Sequence, residues 1–161
     1  MEMIRVCFVC LGNICRSPTA EGVMNHLLDQ AGLREKVDVD SAGTSSWHVG
    51  EKADSRSRAA AEARGIPLLS RSAQFNAQDF EDYDHVVAMD RSNLKNLENL
   101  APNSAAREKL SMLRAYDPDS PSQADVPDPY YGGPTGFDDV LDICIAGCAG
   151  FLEFLRKEYD L

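Results

Sequence analysis

Residues 10–17 read CLGNICRS, with two cysteines, a glycine and an arginine in eight positions. Three kinds of chemistry use such a set: a metal site, a disulfide, or a loop that holds an anion. The surroundings favour the loop. Residues 4–9 (IRVCFV) are a short apolar run, β-branched at both ends, as in a buried strand. From Pro18 the pattern turns helical, with Ser17 as the expected N-cap and Glu21 in the first turn. A strand-to-helix loop turns backbone N–H groups inward, and the helix adds its unsatisfied N-terminal donors and the positive end of its dipole. Gly12 permits a tight backbone, while Asn13 tolerates left-handed geometry and can bond the loop to itself. Arg16 offers a planar fork of donors that matches the oxygens of a phosphate.

Cys10 stands at the start of this cradle. A free thiol is only about 3% ionised at pH 7, but helix N-termini and arginines stabilise a thiolate beside them. The loop that binds an anion therefore also generates a nucleophile, and Ser17 is placed to hydrogen-bond the sulfur. Phosphoryl transfer asks little else of a protein than a placed nucleophile and donors for the spread charge.

Val9–Glu21 as a string, VCLGNICRSPTAE, resembles the signature of the low-molecular-weight protein tyrosine phosphatases. VDSAGTSSWHVG (39–50), AMDRSNL (88–94), DPYYGG (128–133) and the final helix fit that family at matching places, so the likeness covers most of the chain. The resemblance implies a four-stranded parallel sheet, no metal or cofactor, and a phosphocysteine intermediate. By the same match Cys10 is the nucleophile, Arg16 holds the phosphoryl group, and Asp128 is the general acid. Leu11, Gly12, Asn13, Ile14, Cys15 and Ser17 then surround the anion, while Trp47, Tyr130 and Tyr131 stand by the crevice for a substrate ring. Ser41 joins Asn13 in bracing the loop, and Asp90 supports the site from a neighbouring strand end. The setting of Asp128 between Pro127 and Pro129 suits a stiff loop holding a carboxyl over the cradle. Ser70 and Ala73 depart from the family, which often carries histidine and arginine there.

The partners implied are phosphotyrosine proteins, with phosphate or vanadate as site ligands. Three alternatives use the same residues. An arsenate reductase of this fold needs resolving cysteines, and none lies between Cys15 and Cys144. Protein-arginine phosphatases resemble the chain but carry threonine where Ile14 stands. A noncatalytic phosphate-binding module would have no use for Cys10, Arg16 and Asp128 together.

Several elements must position these residues. Residues 37–41 alternate as a second strand, 85–89 (HVVAM) form a third, and 109–115 hold a fourth. Helices are expected at 55–64, ending before Gly65 and Pro67, and after an N-cap at Asp90 or Ser92. Residues 117–134 are a long proline-rich loop, a length that is usually functional. The last helix spans 137–158, with Phe137, Val140, Leu141, Cys144, Cys148, Phe151, Leu152 and Leu155 on one apolar face. Alternating strands and helices predict an α/β fold: a four-stranded parallel sheet, helices on both faces, and a phosphate-binding loop after the first strand.

At 161 residues the chain is expected to be a single domain over 1–161. No apolar stretch reaches the roughly 18 residues of a membrane span, and the start lacks a signal-peptide pattern. The expectation is a cytoplasmic protein that does not engage membranes, monomeric or weakly dimeric. A net charge of −10 disfavours nucleic acid and means that an anionic substrate must be drawn in by a local positive site. The five cysteines are read as thiols, with no metal site, since no histidine stands at ligand spacing from them. Redox regulation is expected through a Cys10–Cys15 disulfide.

Overall fold

The computed structural model describes residues 2–121 and 123–161. In chain order it contains β1 (Ile4–Cys10), α1 (Arg16–Ala31), β2 (Val37–Gly43), α2 (Ser55–Glu62), β3 (His85–Ala88), α3 (Arg91–Leu100), α4 (Ser104–Glu108), β4 (Leu110–Met112) and α5 (Gly136–Tyr159). The four strands form one parallel sheet in the order β2-β1-β3-β4. Its two faces sort the side chains of β1 by alternation: Val6, Phe8 and Cys10 pack with α1 and α5, Cys7 and Val9 with Phe75, Phe80 and Leu97. Cys7 and Cys10 do stand at C-x-x-C spacing, a pattern of zinc sites that the expectation of no metal site overlooked, but the alternation of β1 separates them. Three residues apart on a strand, they face opposite sides of the sheet. No group of three or more potential metal-ligating side chains occurs among the described residues.

The order of elements is the expected one, and the boundaries differ for physical reasons. β1 and β2 each run on to pair Cys10 with Gly43, so both strands deliver the chain directly to the loop. α1 begins one residue before Ser17, with Cys15 at the cap. Ser17 is therefore not the N-cap; its hydroxyl is engaged with the Cys10 sulfur. Pro18 falls at the third helical position, where a missing N–H costs nothing, and Glu21 lies beyond the first turn. Asp90 caps α3, its carboxylate accepting from the N–H of Asn93.

β4 is three residues long, and Leu113–Tyr116 is a 3₁₀ turn rather than strand. That turn puts Leu113 and Tyr116 on one side, against α5. Tyr116 meets Phe151 with ring centroids 4.9 Å apart, and a Cβ on Gly150 would overlap the Tyr116 carbonyl oxygen. The short helix α4, capped by Asn103, has no counterpart in the sequence reading. Along α5 the expected stripe is buried from Val140 to Leu155, and Phe137 is half-buried at the site end. No described helix is long and apolar enough to cross a membrane.

Candidate active site

The loop between β1 and α1 is fixed by its carbonyls. Those of Cys10 and Leu11 accept from the N–H groups of Thr44 and Ser45, each at 2.9 Å, and that of Ile14 from the N–H of Asp54 at 2.7 Å. The Gly12 carbonyl accepts from Ser72 Oγ at 2.9 Å and the Cys15 carbonyl from Thr19 Oγ1 at 2.6 Å. In a planar trans peptide the next residue's N–H points opposite to the carbonyl. With the carbonyls turned outward, the N–H groups of Leu11, Gly12, Asn13, Cys15 and Arg16 turn inward. The Asn13 N–H meets Cys10 Sγ at 3.3 Å. The other four have no acceptor among the described residues.

Two positions permit this shape. Asn13 adopts a left-handed φ of 56°. Its amide holds it there: Nδ2 donates to Ser17 Oγ at 2.7 Å and to Ser41 Oγ at 3.0 Å, and Oδ1 accepts from the Ala73 N–H at 3.0 Å. Gly43 lies directly against the loop, where a Cβ would stand 2.7 Å from the Leu11 carbonyl oxygen.

Cys10 is buried, and its sulfur lies 3.0 Å from Ser17 Oγ. Arg16 extends from the first residue of α1, with one terminal nitrogen 2.6 Å from Asp90 Oδ2 and 3.1 Å from the Val126 carbonyl oxygen. Burial works against its charge, but the Cys10 sulfur and the Asp90 carboxylate outweigh burial and raise its pKa. Its other guanidinium nitrogens have no hydrogen-bond partner among the described residues.

Asp128 begins the turn Pro129–Tyr131 and accepts from the Tyr130 N–H at 3.0 Å. It shares with Cys10 and Arg16 a cleft of about 120 Å³ that Leu11, Gly12, Ile14 and Cys15 also line. Trp47 and Tyr130 stand at its rim, 75% and 50% exposed. Of Tyr131 only the backbone is described. Asn13, Ser17, Ser41 and Asp90 do not line this cleft: Asn13 and Ser17 lie behind it against the Cys10 sulfur, and Ser41 and Asp90 hydrogen-bond Asn13 and Arg16.

Sequence reasoning missed several participants. His48 lines the cleft, its Nδ1 2.6 Å from Glu51 Oε2. Asp54 caps α2 and accepts from the Tyr130 hydroxyl at 3.0 Å. Burial, and then Asp54, push the Tyr130 phenol up to about 12. The Arg56 guanidinium lies 4.8 Å from the Tyr130 ring centre and 4.5 Å from that of Phe137. Only the cap of Asp54, an aspartate just before an Ala-rich helix, carried a readable signal.

The fold and the cleft together define an α/β protein with a cysteine loop, its N–H groups turned inward, at the carboxyl end of its sheet. The family model for low molecular weight phosphotyrosine protein phosphatase matches residues 5–161. A low molecular weight protein-tyrosine-phosphatase of Streptomyces coelicolor is 45% identical over 97% of this chain and 96% of its own length. Among solved structures, a protein tyrosine phosphatase from Entamoeba histolytica with Hepes in its active site superposes with a TM-score of 0.90. It is 39% identical and covers 98% of this chain and 99% of that one. A Drosophila arginine phosphatase matches with a TM-score of 0.87 at 33% identity, covering 95% of this chain and 98% of that one. The chain belongs to the low molecular weight phosphotyrosine protein phosphatase family.

Proposed function

We propose that the chain hydrolyses phosphotyrosine in proteins through a phosphocysteine on Cys10. The observation that carries the reading is the inward ring of N–H groups around the Cys10 sulfur, with Arg16 and Asp128 on the same cleft. The Cys10 thiolate attacks phosphorus, and the bond from phosphorus to the tyrosyl oxygen breaks. Protonated Asp128 gives that oxygen its proton, because a phenolate leaves poorly without one. The ring of N–H groups and Arg16 hold the non-bridging oxygens throughout. Water then attacks phosphorus while Asp128, now a carboxylate, takes its proton. The S–P bond breaks, and inorganic phosphate leaves. Trp47 and Tyr130 receive the aromatic ring by stacking, with Tyr130 held by Asp54 and Arg56. Bound Hepes in the Entamoeba relative, a sulfonate, fits an anion cradle of this kind.

The test is Asp128→Asn across aryl phosphates of graded leaving-group basicity. A loss of about 10²–10⁴ is expected for a basic phenol, and a much smaller one for a nitrophenol. Equal losses along the series would make Asp128 structural. In the same assays Cys10→Ser should not turn over yet should still bind phosphate or vanadate. The likeness to an arginine phosphatase makes a phosphoarginine peptide the proper comparison, and the aromatic rim favours the phosphotyrosine peptide.

A further inference from the structure

Glu21 sits in the second turn of α1, and the mechanism above gives it no task. Yet it heads an unbroken file of hydrogen bonds to the Cys10 sulfur. Ser41 Oγ donates to Glu21 Oε1 at 2.5 Å, and Asn13 Nδ2 donates to Ser41 Oγ at 3.0 Å. The same Nδ2 donates to Ser17 Oγ at 2.7 Å, and Ser17 Oγ lies 3.0 Å from the sulfur.

The two ends of this file have fixed directions. A carboxylate has no hydrogen to give, so Ser41 spends its only hydrogen on Glu21 and accepts from Asn13. At the other side the Ala73 N–H can only donate, which makes Asn13 Oδ1 an acceptor. Both Nδ2 hydrogens are then committed to the two serines. Ser17, already accepting, keeps its own hydrogen for the sulfur or, at 3.3 Å, for the Ala42 carbonyl. We propose that Glu21 is a positioning residue that, together with the Ala73 N–H at the other end, holds the direction of this file, so that Ser17 O–H donates to the Cys10 thiolate beside the Asn13 N–H. The inference rests on Cys10 being the nucleophile.

The carboxyl is kept at a cost. Burial raises its pKa, Ser41 and Ser70 oppose the rise as donors, and Asp40 and Asp38 on β2 add to it. Glu21 forms no ion pair among the described residues. His26, Asp29 and Arg34 line the cleft on one side of it, and Arg71, Asp79 and Tyr83 line the cleft on the other. The two hydroxyl donors offset the burial only in part, whereas the link to the loop gives the carboxylate a use.

Charge and hydrogen bonding make opposite forecasts, which allows a clean test. Removing a nearby negative charge by Coulomb effects alone eases ionisation of Cys10. Removing the acceptor from Ser41 weakens the donors on the sulfur and hinders it. The measurement is the pH midpoint of Cys10 carboxymethylation by iodoacetate, read by peptide mass, beside the pH profile of kcat/KM. Glu21→Met is expected to raise the midpoint by about 0.7 pH unit, the size of one ordinary hydrogen bond. Its Tm should not fall, since a buried carboxyl has gone. Glu21→Gln keeps an acceptor oxygen and should leave the midpoint at or slightly below that of the wild type. Should Glu21→Met fail to fold, Ser41→Ala cuts the same file and should show the same rise. A midpoint that falls or stays put in Glu21→Met, or in Ser41→Ala if that variant stands in for it, overturns the proposal. So does an equal rise in Glu21→Gln. Alkylation reads the thiolate whether or not it turns over substrate. If the phosphatase reading failed, the wild type would not hydrolyse aryl phosphate or Cys10→Ser would hydrolyse it equally well, results separate from these shifts.

Discussion

Cys15 stands five residues after Cys10 and lines the same cleft, but its surroundings differ in kind. The Asn13 N–H donates to the Cys10 sulfur and the Ser17 hydroxyl lies against it. Burial pushes the Cys15 thiol up to about 12, with a hydrogen bond to Ser57 opposing. At neutral pH, then, Cys15 stays a thiol, and we propose that peroxide acts first on Cys10, the nucleophile, to give a sulfenic acid. We propose that Cys15 then condenses with it, forming an S–S bond and releasing water. Peroxide followed by dithiothreitol should restore the wild type almost fully and yield a Cys10–Cys15 peptide before reduction. Cys15→Ser should lose most of the recovery, because the sulfenic acid goes on to sulfinic acid. Equal recovery without a cross-linked peptide would leave Cys15 as a packing residue.

At the scale of the element, the docking of α5 involves a titrating group. His85 opens β3, with Nε2 2.7 Å from the Tyr159 hydroxyl at the far end of α5 and its ring edge-on to Phe151 and Phe154. Burial lowers its pKa below the usual 6.5, though Asp84 and Glu158 pull the other way. A folded pKa below the unfolded one means that the unfolded chain binds the proton more readily. Stability from this group is therefore complete above about pH 6.5 and declines as pH falls through it. Thermal melts between about pH 7 and pH 5.5 should show a falling Tm in the wild type and a flatter line in His85→Gln. Equal slopes would detach His85 from the transition. Little of this contact was legible in the sequence, because His85 and Tyr159 meet only after the sheet and α5 are in place. The cysteine loop was legible because strand, loop and helix N-terminus are contiguous and each obeys a local rule. Asp128 is different: no periodicity or spacing separates it from the other aspartates, and only the resemblance to a family selected it. The ties of Arg16 to Val126 and of Tyr130 to Asp54 join segments 110 and 76 residues apart, beyond any local pattern. Leu113–Tyr116 misled because its apolar residues fit a strand as well as a turn docked against Gly147 and Gly150.

At the scale of the whole molecule, the net charge of −10 sets the field in which the site works. Several arginines around the cleft are already spent, Arg16 on Asp90, Arg56 on Asp54 and Arg91 on Asp125. What remains positive is the unpartnered side of the Arg16 guanidinium, the loop's N–H groups and the N-terminus of α1, whose pull fades within about a helical turn. A phosphopeptide thus approaches through repulsion and is captured only at short range. Salt screens the long-range part, with a Debye length of about 30 Å at 0.01 M and about 8 Å at 0.15 M, and leaves the buried capture largely intact. Phosphotyrosine peptides flanked by acidic residues should gain in kcat/KM over that range, by several-fold, while peptides flanked by lysines should lose. The salt must be chloride, since phosphate or sulfate would compete for the cradle. The informative quantity is the ratio of the two peptides' kcat/KM values as ionic strength rises. A ratio that stays constant would show that local charges at the rim, and not the −10 of the whole chain, govern which phosphopeptides reach Cys10.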